Sequence, residues 1–386
     1  MERSSVWETA DPAEKDACVG DSRYTAWNDD SEGGKIMKNT AILSILAAML
    51  VLSACGGSAS TTGTGASGTV AAEAAGALTE GNSATTAQPQ DLVMGTGSTG
   101  GTYFALGGAM ANAINNKLAD QQITVTVQST GASVENLNLI NAGEMDLGIA
   151  MNNVAANAQE GSGAFSAPAT NIRAIGVVYN EVYQIVANAD TVKNAENVED
   201  LKGLKVAVGP AGSGTVGLTQ LVFAAAGLDM DKDIRRQSDS FGDAATKMQD
   251  GHIDAACNVL AVPASAIVEM TTSMKLSYIN ISDEILEKLP DYFTRKVIPA
   301  GTYPGMEKDC NTITCKAVLY CSAELDEETV YLITKAFYES GDEIAAAHAT
   351  GKEVQLDGCL DGITTPIHPG AARYFEEKGI PLPGKS

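Results

Sequence analysis

Leu92-Val93-Met94-Gly95-Thr96-Gly97-Ser98-Thr99-Gly100-Gly101-Thr102-Tyr103 joins a short apolar run, a glycine-rich loop and the first residues of a helical segment. Lys205-Val206-Ala207-Val208-Gly209-Pro210-Ala211-Gly212-Ser213-Gly214-Thr215 repeats that order further along the chain. A brief apolar run closed by glycines reads as a buried strand, and the helical period behind the loop reads as a helix. A second echo accompanies the first. Asn141-Ala142-Gly143-Glu144-Met145-Asp146 precedes the apolar Leu147-Gly148-Ile149, as Gln249-Asp250-Gly251-His252-Ile253-Asp254 precedes Ala255-Ala256-Cys257. Two echoes in the same order point to duplicated architecture. Strands are expected over 92–95, 123–128, 147–150, 205–209 and 253–257, with helices over 101–118, 134–142, 215–226 and 241–249. That alternation predicts an α/β protein with largely parallel sheets.

Working outward from the first loop, Gly95 to Gly100 fits Gly-x-Gly-x-x-Gly between a strand and a helix, so dinucleotide binding has to be weighed. That use needs an acidic residue after the second strand to hold a ribose. The second strand here ends Gln128-Ser129-Thr130-Gly131, without a carboxylate. A different use follows from the same physics. Glycines admit a ligand close to the backbone, and the first amides of a helix are unpaired donors carrying partial positive charge. Hydroxyls of Ser98, Thr99, Ser213 and Thr215 add adaptable donors. Two such loops facing across a cleft would grip the carboxylates of a small anion. The competing use of these hydroxyls is to cap their own helices.

Upstream, Met37-Lys38-Asn39-Thr40 leads into an apolar run over 41–52 and then Leu52-Ser53-Ala54-Cys55-Gly56. A basic residue, a short apolar core and small residues at the cut site describe a secretory signal over 37–54. The run falls short of the roughly 20 residues a spanning helix needs. Leu-Ser-Ala-Cys resembles a bacterial lipobox, which makes Cys55 the expected lipidation site. Residues 1–36 are polar and acidic, and the codons of Gly33-Gly34 can hold a ribosome-binding sequence, so Met37 is the expected start. Residues 55–91, rich in Gly, Ser, Thr and Ala, read as a tether. The remaining stretch of about 295 residues exceeds the usual single core, so two lobes are expected.

The formal net charge is −23, and removing the nine acids and four bases of 1–36 together with Lys38 leaves −19. So acidic a chain repels nucleic acid and anionic lipid, and an anionic ligand must be held by local dipoles. Hydrophobic residues at 44% support a sizeable core, and both tryptophans, Trp7 and Trp27, precede Met37. Beyond Cys18 and Cys55, five cysteines remain at 257, 310, 315, 321 and 359, without Cys-x-x-Cys spacing for zinc. Free core thiols are expected, a Cys310–Cys315 disulfide being the alternative. No Gly-x-Ser-x-Gly elbow or His-Glu-x-x-His motif occurs, and His252, His348 and His368 are scattered. Asp146 and Asp254 read as turn residues before buried strands, His368 as a cap or brace for a C-terminal helix, and Arg173 as structural or as a carboxylate partner. The chain is therefore expected to be a binding protein without enzymatic activity, metal or cofactor.

Taken together, these residues resemble a known family, the solute-binding proteins of TRAP transporters, specifically the TAXI branch. The resemblance spans nearly all of 91–386. It rests on Gly95 through Tyr103, on Ser129-Thr130-Gly131-Ala132-Ser133-Val134-Glu135-Asn136, and on Gly209 through Thr215. It extends to Ala300-Gly301-Thr302-Tyr303-Pro304-Gly305 and to the run from Ile367-His368-Pro369-Gly370 to Gly379. The resemblance implies a type II periplasmic-binding-protein fold, with two α/β lobes of mostly parallel sheet flanked by helices and a hinge crossed twice. It implies an ion-driven membrane permease as partner and a glutamate-like or C5 dicarboxylate ligand. By position, Ser98, Thr99, Gly100 and Tyr103, with Asn136 and Asn152, would line one lobe, and Ser213, Gly214 and Thr215 the other. Relatives carry a His where this chain has Gln184, which bears on ligand identity.

The expectation is thus an extracytoplasmic lipoprotein anchored through Cys55, with residues 92–184 plus 295–386 forming lobe one and 185–294 lobe two. It would capture a small anion by closure and pass it to the permease subunits. A cleft enzyme on the same fold would need a nucleophile–base pair that the sequence does not offer, and a surface adhesin would leave the cleft incidental.

Overall fold

The structure, a computed structural model, describes residues 90–383. The signal at 37–54, residues 1–36, nearly all of the tether and Cys55 lie outside the described residues. Among those described, no helix is long and apolar enough to cross a membrane.

The first half of the chain gives β1 (Gln90–Gly95), α1 (Thr102–Leu118), β2 (Ile123–Gln128), α2 (Ser133–Ala142), β3 (Leu147–Met151) and α3 (Asn152–Glu160), then the long β4 (Ile172–Asn188). There follow β5 (Lys205–Ala207), α4 (Gly214–Ala225), β6 (Arg235–Gln237), α5 (Phe241–Gln249), β7 (Ala255–Leu260) and α6 (Ser265–Thr271). Next come β8 (Leu276–Ile279), α7 (Asp283–Leu286), β9 (Thr294–Ile298) and a second long strand, β10 (Cys310–Ser322). The chain closes with α8 (Glu327–Glu339), α9 (Gly341–Ala347) and α10 (Pro369–Glu377).

The strands lie in the order β2-β1-β3-β10-β4-β7-β5-β6, with β8 on β4 and β9 on β10. From the middle outward the two sides match: β10 is followed by β3, β1 and β2, and β4 by β7, β5 and β6. On each side the outer pairings are parallel, while β10 and β4 run antiparallel to one another and to β3 and β7. The duplication extends to single atoms. Asp146 Oδ2 accepts from the amide of Val93, and Asp254 Oδ2 from the amide of Lys205, both at 2.8 Å. Each carboxylate holds one backbone amide of the central strand of its half, so both aspartates are the turn residues expected. Gly143 (φ +73°) and Gly251 (φ +71°) precede them in the left-handed conformation that glycine adopts without steric cost.

The halves are joined by β4 and β10. Residues 172–182 of β4 pair with β10, whereas 182–187 pair with β7 and 185–188 with β8. Correspondingly, 310–314 of β10 pair with β9, and 317–321 with β3. Both strands exchange partners at one level, where Thr314 stands opposite Val182 and Cys315 opposite Glu181. This is the type II periplasmic-binding-protein arrangement: two α/β halves of mostly parallel sheet flanked by helices, with a hinge crossed twice. The two crossing strands were not foreseen as continuous elements, and β9, near the expected return at 295, pairs with the part of β10 that precedes the exchange. Of the other expected strands, 205–209 ends at Ala207, before a turn at Gly209 (φ +107°), and 253–257 shifts to 255–260 because Asp254 serves as the clamp.

All five described cysteines are buried and free. Cys310 and Cys315 sit on one strand, so at about 3.3 Å per residue they lie too far apart for a disulfide. His368 caps α10, its Nδ1 accepting from the amide of Gly370 at 3.2 Å, and burial holds its imidazole below the usual basicity. Arg173 donates to the carbonyls of Thr170 and Ile172, so its role is local.

Candidate functional site

The two glycine loops end in helices whose first turns are left uncapped by side chains. The N-cap of α1 is Gly101. The N-cap of α4 is Ser213, whose hydroxyl donates to the carbonyl of Pro210 at 2.6 Å instead of accepting from its own helix. Capping therefore does not account for the hydroxyls of these loops. Ser98 Oγ is buried without a partner, and the Thr215 hydroxyl, although the residue is buried, makes no hydrogen bond among the described residues.

Both loops open onto one cavity at the seam between the halves. One half supplies Ser98, Thr102, Tyr103, Ser133 and Met151, and the other Ser213, Gly214, Thr215, Phe241 and Val259. Tyr179 and Glu181 of β4 form the floor. The space between the atoms is about 350 Å³ with its mouth included, but only about 20 Å³ can take the centre of a water molecule. One water needs roughly 10–15 Å³ on that measure, so the halves are drawn together.

Contacts across the seam show how. The amides of Val134 and Glu135, in the first turn of α2, donate to the carbonyl of Gly212 in the opposite loop at 3.0 and 3.2 Å. The amide of Ala261 donates to Thr102 Oγ1 at 3.1 Å. A Cβ at Gly131 would lie 2.4 Å from the carbonyl oxygen of Ala211, and one at Gly100 2.8 Å from the amide nitrogen of Gly242. Backbone from the two halves touches at both places, which only glycine permits.

Glu181 is the one carboxyl group among the described residues that line the cavity. It is 2% exposed, and its carboxylate oxygens accept from the Tyr103 hydroxyl at 2.9 Å and the Tyr179 hydroxyl at 3.1 Å. Burial pushes its carboxyl up to about 8, the two tyrosine hydrogen bonds opposing the shift. Burial, then the neighbouring Glu181 charge, raises both tyrosines well above their usual range.

Of the residues singled out from sequence, Ser98, Tyr103, Ser213, Gly214 and Thr215 line this cavity. The others lie elsewhere. Thr99 is exposed in an adjoining groove with Pro263 and His348, and Gly100 packs on the start of α5. Asn136 is fully buried and ties the first loop to β3, donating to the carbonyls of Thr96 and Ile149. Asn152 bridges Gly362 and Lys316. Gln184 accepts from the Tyr303 hydroxyl and donates toward Ala261 at 3.3 Å, behind the cavity wall. Sequence reading did not single out Ser133, Tyr179, Glu181 or Phe241. A signal for Glu181 was present, since it is the single charged residue in the mostly apolar run from Ala174 to Val186.

A family model described as NMT1-like matches residues 94–379. Among solved structures, the chain is similar to the periplasmic aliphatic sulphonate binding protein SsuA of Escherichia coli at 17% identity, covering 76% of this chain and 94% of that one, with a TM-score of 0.41. It is similar to a binding-protein component of an ABC phosphonate transporter from Pseudomonas aeruginosa at 13% identity, covering 69% and 81%, with a TM-score of 0.48. The amino acid ABC transporter substrate-binding protein AbpA of Streptococcus pneumoniae matches at 12% identity, covering 68% and 95%, with a TM-score of 0.43.

Proposed function

Because the chain belongs to the NMT1-like family, we propose that it is an extracytoplasmic solute-binding protein that closes two lobes on a small molecule and presents it to a membrane transporter. The observation that carries this reading is the cavity at the seam, where two helix starts without side-chain caps face one space. Unpaired amides there are donors looking for an anion, and a carboxylate is the smallest anion common among metabolites. The ligand is accordingly a small carboxylate, glutamate-like or a C5 dicarboxylate, held by Ser98, Ser213, Thr215 and the adjoining amides. The motifs at 95–103, 129–136 and 209–215 support a TRAP-type, ion-driven permease as partner, and Leu-Ser-Ala-Cys supports a lipid anchor at Cys55. We place the hinge at Glu181–Val182 and Thr314–Cys315, where both crossing strands exchange partners. Lobe one then comprises 92–181 with 315–386, and lobe two 182–314. Among the described residues, the hydroxyls of the cavity have Glu181 as their only candidate base, and it already accepts from two tyrosines, which favours binding over catalysis.

The test is a thermal-shift screen of small carboxylates and amino acids on the full chain, with hits measured by calorimetry. A ligand at a hundredfold excess over its dissociation constant should stabilise the protein by about 2.7 kcal/mol, and small-angle scattering should show compaction when it is added. A saturating ligand that leaves the shape unchanged would rule out closure. Ligand uptake by reconstituted vesicles should follow an imposed ion gradient, and a requirement for ATP would rule out the TRAP-type partner.

A further inference from the structure

The cavity holds one acid and no cation, a poor setting for a dianion. No Lys, Arg or His is among the lining residues, and Glu181 is the sole carboxylate. Among the described residues Glu181 has no cationic partner. Its two oxygens accept one neutral hydroxyl each, from Tyr103 of α1 and Tyr179 of its own strand, which leaves further lone pairs unused. The group facing it from β10 is the buried Cys315, which brings no positive charge. A buried carboxylate without a cation is costly, and burial alone lifts its protonation into the neutral range. A brace between α1 and β4 would not require that cost, because a neutral Gln carbonyl could accept from a tyrosine as well. An acid kept at the wall of a binding cavity is explained by a counter-charge that arrives with the ligand.

We infer that Glu181 is the subsite for a protonated amine, and that the ligand is a small zwitterion with its ammonium at Glu181 and its carboxylate at the start of α4. This rests on reading the cavity as the solute site, and it narrows that reading. A dicarboxylate lacking an amine would leave Glu181 protonated and bring two negative charges, with only helix-start amides and hydroxyls to offset them. A zwitterion adds no net charge and pairs each end. Nor does the anionic end need an arginine, since the unpaired amides of α4 and the free Thr215 hydroxyl supply neutral donors.

Matched compounds test this on the full chain by titration calorimetry at pH 7: L-valine against isovalerate, L-glutamate against glutarate, and isobutylamine. At least one amino acid of the two pairs should bind tenfold or more tightly than its amine-free partner. That binding should release close to one proton, read from the dependence of the heat on buffer ionisation. Glu181→Gln should abolish both the preference and the proton release. The proton release is measured on the unaltered protein, so the test survives a poorly folding variant. If an amine-free acid binds and neither amino acid exceeds its partner tenfold, or if the tighter amino acid binds without proton release, the ammonium subsite is overturned while the carboxylate reading stands. If isobutylamine binds as well as L-valine, the carboxylate reading falls and the ammonium subsite stands. Silence from all five compounds overturns both.

Discussion

The two glycine loops occupy matching places in the two halves, yet they are held in different ways. The first is fastened within its own half. Gly97 O accepts from Ser129 Oγ and from the Thr130 amide, and Thr96 O accepts from Asn136 Nδ2 and Thr130 Oγ1. The second is tied to its own half mainly through Val208 and Gln237, then reaches across the seam, where Gly212 O accepts the two amides of α2. Duplicated sequence has therefore produced one loop anchored mostly within its own half and one whose backbone carbonyl is held by the opposite half. Equivalent positions need not contribute equally to binding.

The largest expected effect lies on the midline, in neither loop. The carboxyl of Glu181 moves from 4.5 to about 8 on folding, so the folded protein keeps a proton that the unfolded chain gives up. The stability linked to that proton is fully present below about pH 4.5, declines as pH rises, and is gone above about pH 8. Glu181→Gln carries no such dependence. Relative to wild type it should gain on the order of 5 kcal/mol between pH 4.5 and pH 8.5, measured by urea melts at both values. A difference that does not change with pH would mean that Glu181 stays hydrated.

Next comes the contrast between the loops themselves. Thr215→Val keeps the shape of the side chain and removes a hydroxyl with no partner among the described residues. A hydrogen bond to a charged group is worth roughly 1.5–3 kcal/mol, so ligand affinity should fall about tenfold to a hundredfold while the melting temperature of the free protein holds. Ser213→Ala, by contrast, also removes the bond to Pro210 and should lower free-state stability by about 1 kcal/mol. Equal behaviour of the two variants in calorimetry and thermal melts would erase the distinction.

Gly131→Ala probes the seam. Its Cβ would overlap Ala211 O only when the halves are together. Ligand affinity should fall by roughly 1–3 kcal/mol, as for other overpacked contacts, with the melting temperature of the free protein little changed and ligand-induced compaction reduced in scattering. Compaction equal to wild type would place the closed geometry elsewhere.

The smallest expected effect checks the duplication itself. Asp146→Ala and Asp254→Ala each remove one clamp on a central strand. Both should cost about 1–2 kcal/mol in urea unfolding, and a marked inequality would show that the two halves contribute unequally to the cooperative unit.

What the sequence disclosed was local. The helix over 241–249 and the strand over 123–128 stand at the predicted bounds, because period and flanking turn residues act within a few positions. Five cavity residues were legible for the same reason, since each sits in a glycine loop or in the first turn of the helix behind it. The floor was not legible. Tyr179 and Glu181 reach the cavity through a strand that changes partners midway, and partner choice is a long-range property that no window of residues contains. Asn136 and Asn152 show the converse. Polar residues beside a cleft motif look like ligand contacts, but their amides are spent on backbone groups that would otherwise be buried unpaired.

The exchange of partners by β4 and β10 at Glu181 sets out the molecule as a pair of tongs, with the carboxylate at the pivot and the hydroxyls of Ser98 and Thr215 at the tips. A contact at the pivot has almost no lever arm, so it is nearly the same whether the tongs are open or shut. A contact at the tips exists only when they are shut. Since a ligand shifts a conformational equilibrium only by its difference in affinity for the two states, on the proposed reading the pivot would govern which molecules are admitted and the tips whether admission is followed by closure. Selectivity and actuation would then belong to separate residues of one small cavity.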